Sequence, residues 1–214
     1  MFIIDKYQYF FCVAFLLGSA TVYGQANTTH YTIEVKANTP ARYRIEVTRN
    51  KKVVQLRYGR LDSVRLTRMS ADPDVKAMQA LDAAGKLFTL PEAERDALFQ
   101  RVLAADERNS VYTWDSLQIA SASHRALVQL FDSVSTSSAA QLERKEANRN
   151  RIILDGTIFS ITVQGKQVTP KKVYAHSPDR TSHPLLSRLI RESLELYRKE
   201  CPNALLDTRH TGGY

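Results

Sequence analysis

The alternation of apolar and polar positions is clearest between Arg151 and Lys199. Phe159, Ile161 and Val163 alternate with Ile158, Ser160 and Thr162, the period of a half-buried strand opened by an Asp155-Gly156 turn. Gly165-Lys166 suits a two-residue hairpin turn with glycine first. A strict two-residue turn sets Phe159 opposite Lys172 and leaves Val173 and Ala175 on the wrong face. One extra residue near Thr169-Pro170 restores the match, so the spacing predicts a bulge there. Ser177-Pro178-Asp179 reads as a turn. Ser182 and Pro184 read as the cap and first turn of a helix. On that helix Leu186, Ile190, Leu194 and Tyr197 recur at helical spacing, and Cys201-Pro202 ends it.

Upstream, Tyr31, Ile33 and Val35 alternate with Thr32, Glu34 and Lys36. A hairpin folded about Asn50-Lys51 pairs Val47 with Val54, Ile45 with Leu56 and Tyr43 with Tyr58. That register sets Arg44 opposite Arg57, a like-charge pair that is mildly unfavourable unless an anion or acid lies between; splayed, hydrated side chains are the expectation. Gly59 reads as a turn before a fourth strand carrying Val64 and Leu66. Asp72-Pro73 reads as a cap followed by proline at the first helical position, with Gly85 as the stop. Thr89 and Glu92 suggest a capping box for a helix over 90–105, which carries Leu98, Phe99, Val102 and Leu103. Trp114 to Ile119 is extended, and Ser123 is placed to cap a helix with Leu127, Leu130, Phe131 and Val134. Residues 135–150 are either a surface helix starting near Ser138 or a linker. The whole reads as an α+β fold, with antiparallel hairpins at both ends and about four helices packed on one sheet face.

The first 24 residues read differently. Tyr9 to Ala20 is an apolar run too short to span a bilayer. Small residues follow, with Val22 and Gly24 at the −3 and −1 positions of a cleavage site before Gln25, the pattern of a secretory signal. An uncleaved anchor is the alternative. The expected product is an exported chain, periplasmic or secreted, with one domain over 25–200 and a flexible tail over 201–214. Leu61 to Leu66 faintly echoes Trp114 to Ile119, which admits a duplicated strand-strand-helix unit over 30–110 and 111–200. Cleavage removes Cys12 and leaves Cys201, so no internal disulfide is expected. Asn27-Thr28-Thr29 is a glycosylation sequon, meaningful in a host with that machinery.

The chain holds 30 Lys and Arg against 22 Asp and Glu, a net charge of +8, and cleavage removes one of each sign. Such a charge favours acidic or envelope partners. The basic residues are dispersed, without a run of five or six, so nucleic acid is not the expected partner.

The Ile153 to Thr157, Val173 to Pro178, Ser182 to Leu186 and Leu196 to Lys199 stretches (ILDGT, VYAHSP, SHPLL and LYRK) resemble a module of uncharacterised exported bacterial proteins. The preceding DSL-and-helix stretch is similar, so the resemblance covers roughly the last 100 residues. It implies no assigned activity and carries over no catalytic residue.

The chain has no phosphate-cradling glycine motif, nucleophile elbow, HExxH or CxxC. His176 and His183, with Asp179 between, are not at a standard zinc spacing, and no metal or cofactor is expected. Ser177, His176 and Asp179 are sequence neighbours, and triads are assembled from distant positions. Tyr112 and Trp114 read either as core beneath the sheet or as a sugar- or peptide-binding platform. The candidate binding loop is His176, Ser177, Arg180, Ser182 and His183. The helix start leaves unpaired N–H groups and a partial positive charge, to which Arg180 adds, suiting a small anion or an acidic partner group. On the other reading Ser177 and Ser182 simply cap the turn and the helix, and the charges face water. The expected function is a non-enzymatic exported binding or envelope-associated domain. The alternative is a hydrolase or other enzyme whose site is assembled from distant residues.

Overall fold

The computed structural model describes residues 28–36, 42–151, 156–211 and 214. The export segment, its junction at Gly24-Gln25, Asn27 of the sequon and Ile153 to Asp155 of the ILDGT stretch lie outside the described residues. The fold is α+β. Six strands, β1 (Thr29–Lys36), β2 (Tyr43–Arg49), β3 (Val53–Val64), β4 (Ser110–Ala120), β5 (Ile158–Gly165) and β6 (Val168–His176), form one antiparallel sheet in the order β4-β3-β2-β1-β5-β6. The helices are α1 (Leu66–Ala71), α2 (Pro73–Ala83), α3 (Glu92–Asn109), α4 (Arg125–Thr136), α5 (Ala139–Glu143), α6 (Lys145–Asn148) and α7 (Pro184–Glu200).

Alternation decides which face each strand buries. Tyr31, Ile33, Ile45, Leu56, Phe159 and Ile161 all point to one face and are fully buried there beneath α4 and α7. Both helices carry their apolar residues on one side, including Leu130 and Phe131 on α4 and Leu189 and Leu194 on α7. Tyr58 stacks on Tyr197 with ring centroids 4.0 Å apart. α1, α2 and α3 build a smaller core of their own around Val75, Leu87, Leu98, Val102 and Ala105. This lobe meets the opposite, polar face of the sheet through α3: Glu107 binds Arg44, Asp106 binds Lys36 and Arg42, and Gln100 binds the Tyr174 hydroxyl.

The β2–β3 register differs from the predicted one by two residues. Val47 faces Leu56, and Ile45 faces Tyr58. Asn50 is the cause. Its Oδ1 accepts the Lys52 and Val53 N–H groups at 2.9 and 2.8 Å, and its own N–H donates to Val53 O at 3.0 Å, which puts Lys51-Lys52 at the turn tip. A two-residue shift preserves parity, so every apolar residue keeps its face. It abolishes the predicted Arg44/Arg57 pair: Arg57 faces Glu46 and binds it at 2.9 Å, and Arg44 faces Gly59. Gly59 makes no turn. It lies inside a continuous β3, opposite Trp114, and a Cβ there would come within 2.8 Å of the indole.

The β5–β6 hairpin keeps its predicted bulge, with the register shifting between the Val163–Lys171 and Gly165–Val168 pairs. Its turn lies one residue later than predicted, at Lys166-Gln167. Asp72 caps α2 by accepting from Asp74 N–H, and Gly85 follows its end with φ +65°. Three predicted caps fail. Thr89 donates to Lys86 O, and Pro91 precedes α3; His124 rather than Ser123 precedes α4; His183 rather than Ser182 precedes α7. Ser138 does cap α5, in a reciprocal capping box with Gln141. The 135–150 segment is therefore two short helices rather than one helix or a linker. The Leu61 to Leu66 echo crosses from β3 into α1, whereas Trp114 to Ile119 lies within β4. The segment after α7, expected as a tail, packs on the body. Leu206 is buried in the main core, and Arg198 holds Leu206 O at 3.1 Å and Tyr214 O at 2.6 Å.

Two outcomes follow for stability. Gly59→Ala forces the indole off its seat and lowers unfolding free energy by about 1–3 kcal/mol. In the Gly59→Ala, Trp114→Ala double variant that cost disappears, giving a coupling energy of the same size in urea denaturation. Ser138→Ala removes the α5 cap and costs about 1 kcal/mol in the same measurement.

Candidate functional site

The loop predicted as a binding element connects β6 to α7 and is pinned from four sides. Ser177 has φ +43°; its N–H donates to Thr157 O at 2.8 Å, and its Oγ accepts the Thr157 N–H at 2.9 Å. Asp179 Oδ1 accepts the Thr181 and Ser182 N–H groups at 2.8 and 2.7 Å, an Asx turn. These backbone bonds, above all that from Ser182, hold the Asp179 carboxyl below its ordinary range. Arg144 donates to Thr181 O and Ser182 O, and Asn148 also reaches Ser182 O. Arg151 donates to His176 O, Ser177 O and Asp179 Oδ2 at 2.7 to 2.8 Å, and the Tyr214 hydroxyl donates to Pro178 O.

His183 is buried and fully engaged. Nε2 lies 3.0 Å from Glu143 O, and Nδ1 lies 3.0 Å from Ser182 Oγ, which in turn accepts the Asp179 N–H at 3.1 Å. One arrangement satisfies every atom: Ser182 donates to Nδ1, and Nε2–H donates to Glu143 O. That is a neutral imidazole. Burial pushes its pKa below the ordinary 6.5, and the charges of Arg151 and Arg144 lower it further.

The structure places the five predicted residues in three different situations. His176 and His183 line an open cavity of about 360 Å³. Ser177 and Ser182 are spent on the loop's own hydrogen bonds, so Ser182 is a loop tie rather than a helix cap. Arg180 is exposed and outside the cavity lining. The rest of the lining comes from residues that the sequence reading left unassigned: Glu143, Lys145, Asn148 and Arg151 on one wall, and Ile158, Tyr174 and Ala175 on the floor. The signal in the sequence was the run of polar and basic residues over 144–151, which reads as solvated until the loop is packed against it.

The floor is apolar and open. Ile158 is 54% exposed and Tyr174 36%, and both also border a second, smaller cavity of about 100 Å³ beneath α3, where Leu103 is 39% exposed. Basic groups stand around this apolar strip. Lys145 reaches Glu143 at 3.2 Å with its side chain 81% exposed, and Lys172 lies 5.3 Å from the Tyr174 ring centroid. Glu143 accepts the Tyr174 N–H at 3.1 Å. Among the described residues no cluster of His, Cys, Asp and Glu is arranged to hold a metal ion, and no helix is long and apolar enough to cross a membrane.

Tyr112 and Trp114 do not lie beneath the sheet. They sit half-buried on its polar face, tilted against each other at 5.6 Å, with Arg44 at 5.2 Å over Tyr112 and Arg57 at 4.5 Å over Trp114. Comparison with protein-family models, with curated proteins and with solved structures finds no match.

The state of His183 sets a pH dependence. The unfolded chain binds a proton near pH 6.5 and the folded chain resists it. Stability therefore falls as pH drops below about 6.5, until the folded imidazole titrates. The thermal midpoint falls between pH 7.5 and 5.5, and His183→Gln flattens that fall. Ser182→Ala leaves Nδ1 and the Asp179 N–H unsatisfied and costs about 1–3 kcal/mol at neutral pH.

Proposed function

We propose that this chain is an exported binding domain that takes an anionic amphiphile, with the chemistry of an envelope lipid, in the groove between β6 and α5–α6. The observation that carries the reading is the exposed apolar floor of Ile158 and Tyr174 flanked by Lys145, Arg151 and His176 in a cavity of about 360 Å³. An apolar tail removed from water on Ile158, Tyr174 and Leu103 gains about 25 cal/mol per Å². A headgroup at Lys145 gains a charge-assisted hydrogen bond in competition only with the ion pair that this exposed side chain makes to Glu143. Two of the other titratable groups at the groove are committed elsewhere: Arg151 to two carbonyls and Asp179, His183 to Ser182 and Glu143 O. Groups held this way position the loop rather than shuttle protons, which favours binding over catalysis. Export rests on the apolar run over Tyr9 to Ala20 and the small residues before Gln25.

Two measurements test the reading. N-terminal sequencing of the protein from its host finds Gln25 or a residue beside it; a cytoplasmic product beginning at Met1 overturns the exported part. NMR titration with a short-chain alkyl phosphate below its micelle concentration shifts the amides of Ile158, Tyr174, Ala175 and His176. Lys145→Ala weakens that binding by about 2–5-fold, the effect of one exposed charge. Shifts scattered over the surface, or equal shifts from inorganic phosphate alone, sink the amphiphile assignment.

A further inference from the structure

The two edges of the sheet are built differently. β6 is blunted in several of the ways an edge strand can be. It carries Pro170, Lys171 and Lys172 and a bulge beside Pro170, and α5 covers it, with Glu143 accepting the Tyr174 N–H. β4, at the other edge, is eleven residues long and carries no proline, lysine or arginine; its pairing with β3 shifts only at one end, between Leu61 and Ser63, and 113–119 keep a single register. Its one charge, Asp115, is turned to the helix-covered face and bound by the Tyr197 hydroxyl.

The hydrogen-bond phase of the sheet fixes which groups of β4 are free. Leu61 N–H donates to Arg42 O, and Asn50 N–H donates to Val53 O, so odd-numbered residues of β3 face β2 and even-numbered ones face β4. Ser121 N–H donates to Lys52 O in the same phase. Thr113, Asp115, Leu117 and Ile119 therefore bond to β3, and the N–H and C=O groups of Tyr112, Trp114, Ser116 and Gln118 point outward. Among the described residues no hydrogen bond reaches these outward groups. The Trp114 indole leans over Gly59, away from this edge, and leaves the backbone open.

We propose that β4 is a dimerisation edge, at which two copies of this chain pair β4 against β4 antiparallel and join their sheets. A second copy is the occupant because β4 is nearly uncharged and can pair with itself where the rest of the surface would repel a copy. The chain carries +8, so most approaches of two copies bring like charges together. Along β4 the nearest exposed cation on the polar face, Arg57, is already neutralised by Glu46. The strand is also self-compatible. A two-fold axis at Ser116 sets Trp114 of one copy against Gln118 of the other and Asp115 beside Leu117, with no like-charge contact. An axis at Asp115 opposes two carboxylates and is disfavoured. The interface is isologous and closes at two copies, because each sheet then ends in a protected β6.

Sedimentation velocity over a concentration series tests this on the natively processed chain. The wild type shifts from monomer to dimer with concentration and forms nothing larger. Ser116→Pro removes one outward N–H and none of the β3 bonds, since residues 115 and 117 make those, so it yields a monomer with an unchanged thermal midpoint. Gln118→Lys leaves the backbone untouched and adds the missing gatekeeper charge; it also yields a monomer. A wild type that stays monomeric to its solubility limit overturns the proposal and turns attention to an extended peptide as the partner of β4. A dimer that survives both substitutions overturns it as well, placing the contact elsewhere.

Discussion

Everything in this fold hangs on the pairing of β1 with two partners distant in sequence from each other. β2 follows β1 directly, but β5 arrives from far down the chain: Glu34 lies beside Ser160, 126 positions away. With strands on both sides, the backbone of β1 is saturated, and Tyr31, Ile33 and Val35 are no more than 2% exposed. The N-terminal three strands and the C-terminal hairpin thereby become one sheet with one apolar face. That face, in turn, is what α4 and α7 need to bury their own stripes. Closing so long a loop costs more chain entropy than either neighbouring hairpin does.

The two faces of the sheet are held by different physics. The helix-covered face is apolar and close-packed, and it supplies the bulk of the stability. The polar face is organised around Arg44, whose side chain is 13% exposed and binds Glu34 on β1 and Glu107 on α3. A half-buried charge of this kind is costly to leave alone and favourable only while its partners stay in place. Arg44 thus fixes where α3 crosses the sheet more than it adds to net stability. The α1–α3 lobe keeps its own small apolar core and meets the sheet through ions and hydrogen bonds, a contact more sensitive to salt than the main core. Between α3 and the β5–β6 end of the sheet a cavity leaves Ile158, Tyr174 and Leu103 partly in water, and that gap adjoins the apolar floor of the candidate groove.

The loop at the mouth of the groove is stiff for a stated reason. Arg144, Asn148, Arg151 and Tyr214 all donate to its carbonyls, and Ser182 and His183 close the remaining valences. Because four side chains from two segments converge on it, its geometry depends on the 144–151 stretch and the C-terminus, both of which look solvated in one dimension. The neutral imidazole of His183 is a consequence of that convergence: surrounded by two guanidinium groups and removed from water, it is more stable without its proton.

What the sequence determined by itself was face and element. Period-two alternation assigned Ile33, Ile45, Phe159 and Ile161 to one side, and no register error of two residues could change that, since parity is preserved. The bulge near Pro170 was also forced, because only an odd insertion brings Val173 and Ala175 to the face that Phe159 occupies. Local chemistry alone identified Asp72 as a cap, and it marked Ser138 as a helix start while leaving a linker open. The tertiary structure decided whatever depends on a partner distant in sequence. Gly59 looks like a turn until Trp114 is laid across it. Arg44 looks like a repelled charge until Glu34 and Glu107 flank it. Ser182 looks like a helix cap until Asp179 and His183 claim its hydroxyl. In each case the residue has more than one way to satisfy its polar or steric demands, and the long-range contact selects among them. Propensity is a property of a short stretch, whereas satisfaction of buried polar groups is a property of the packed whole.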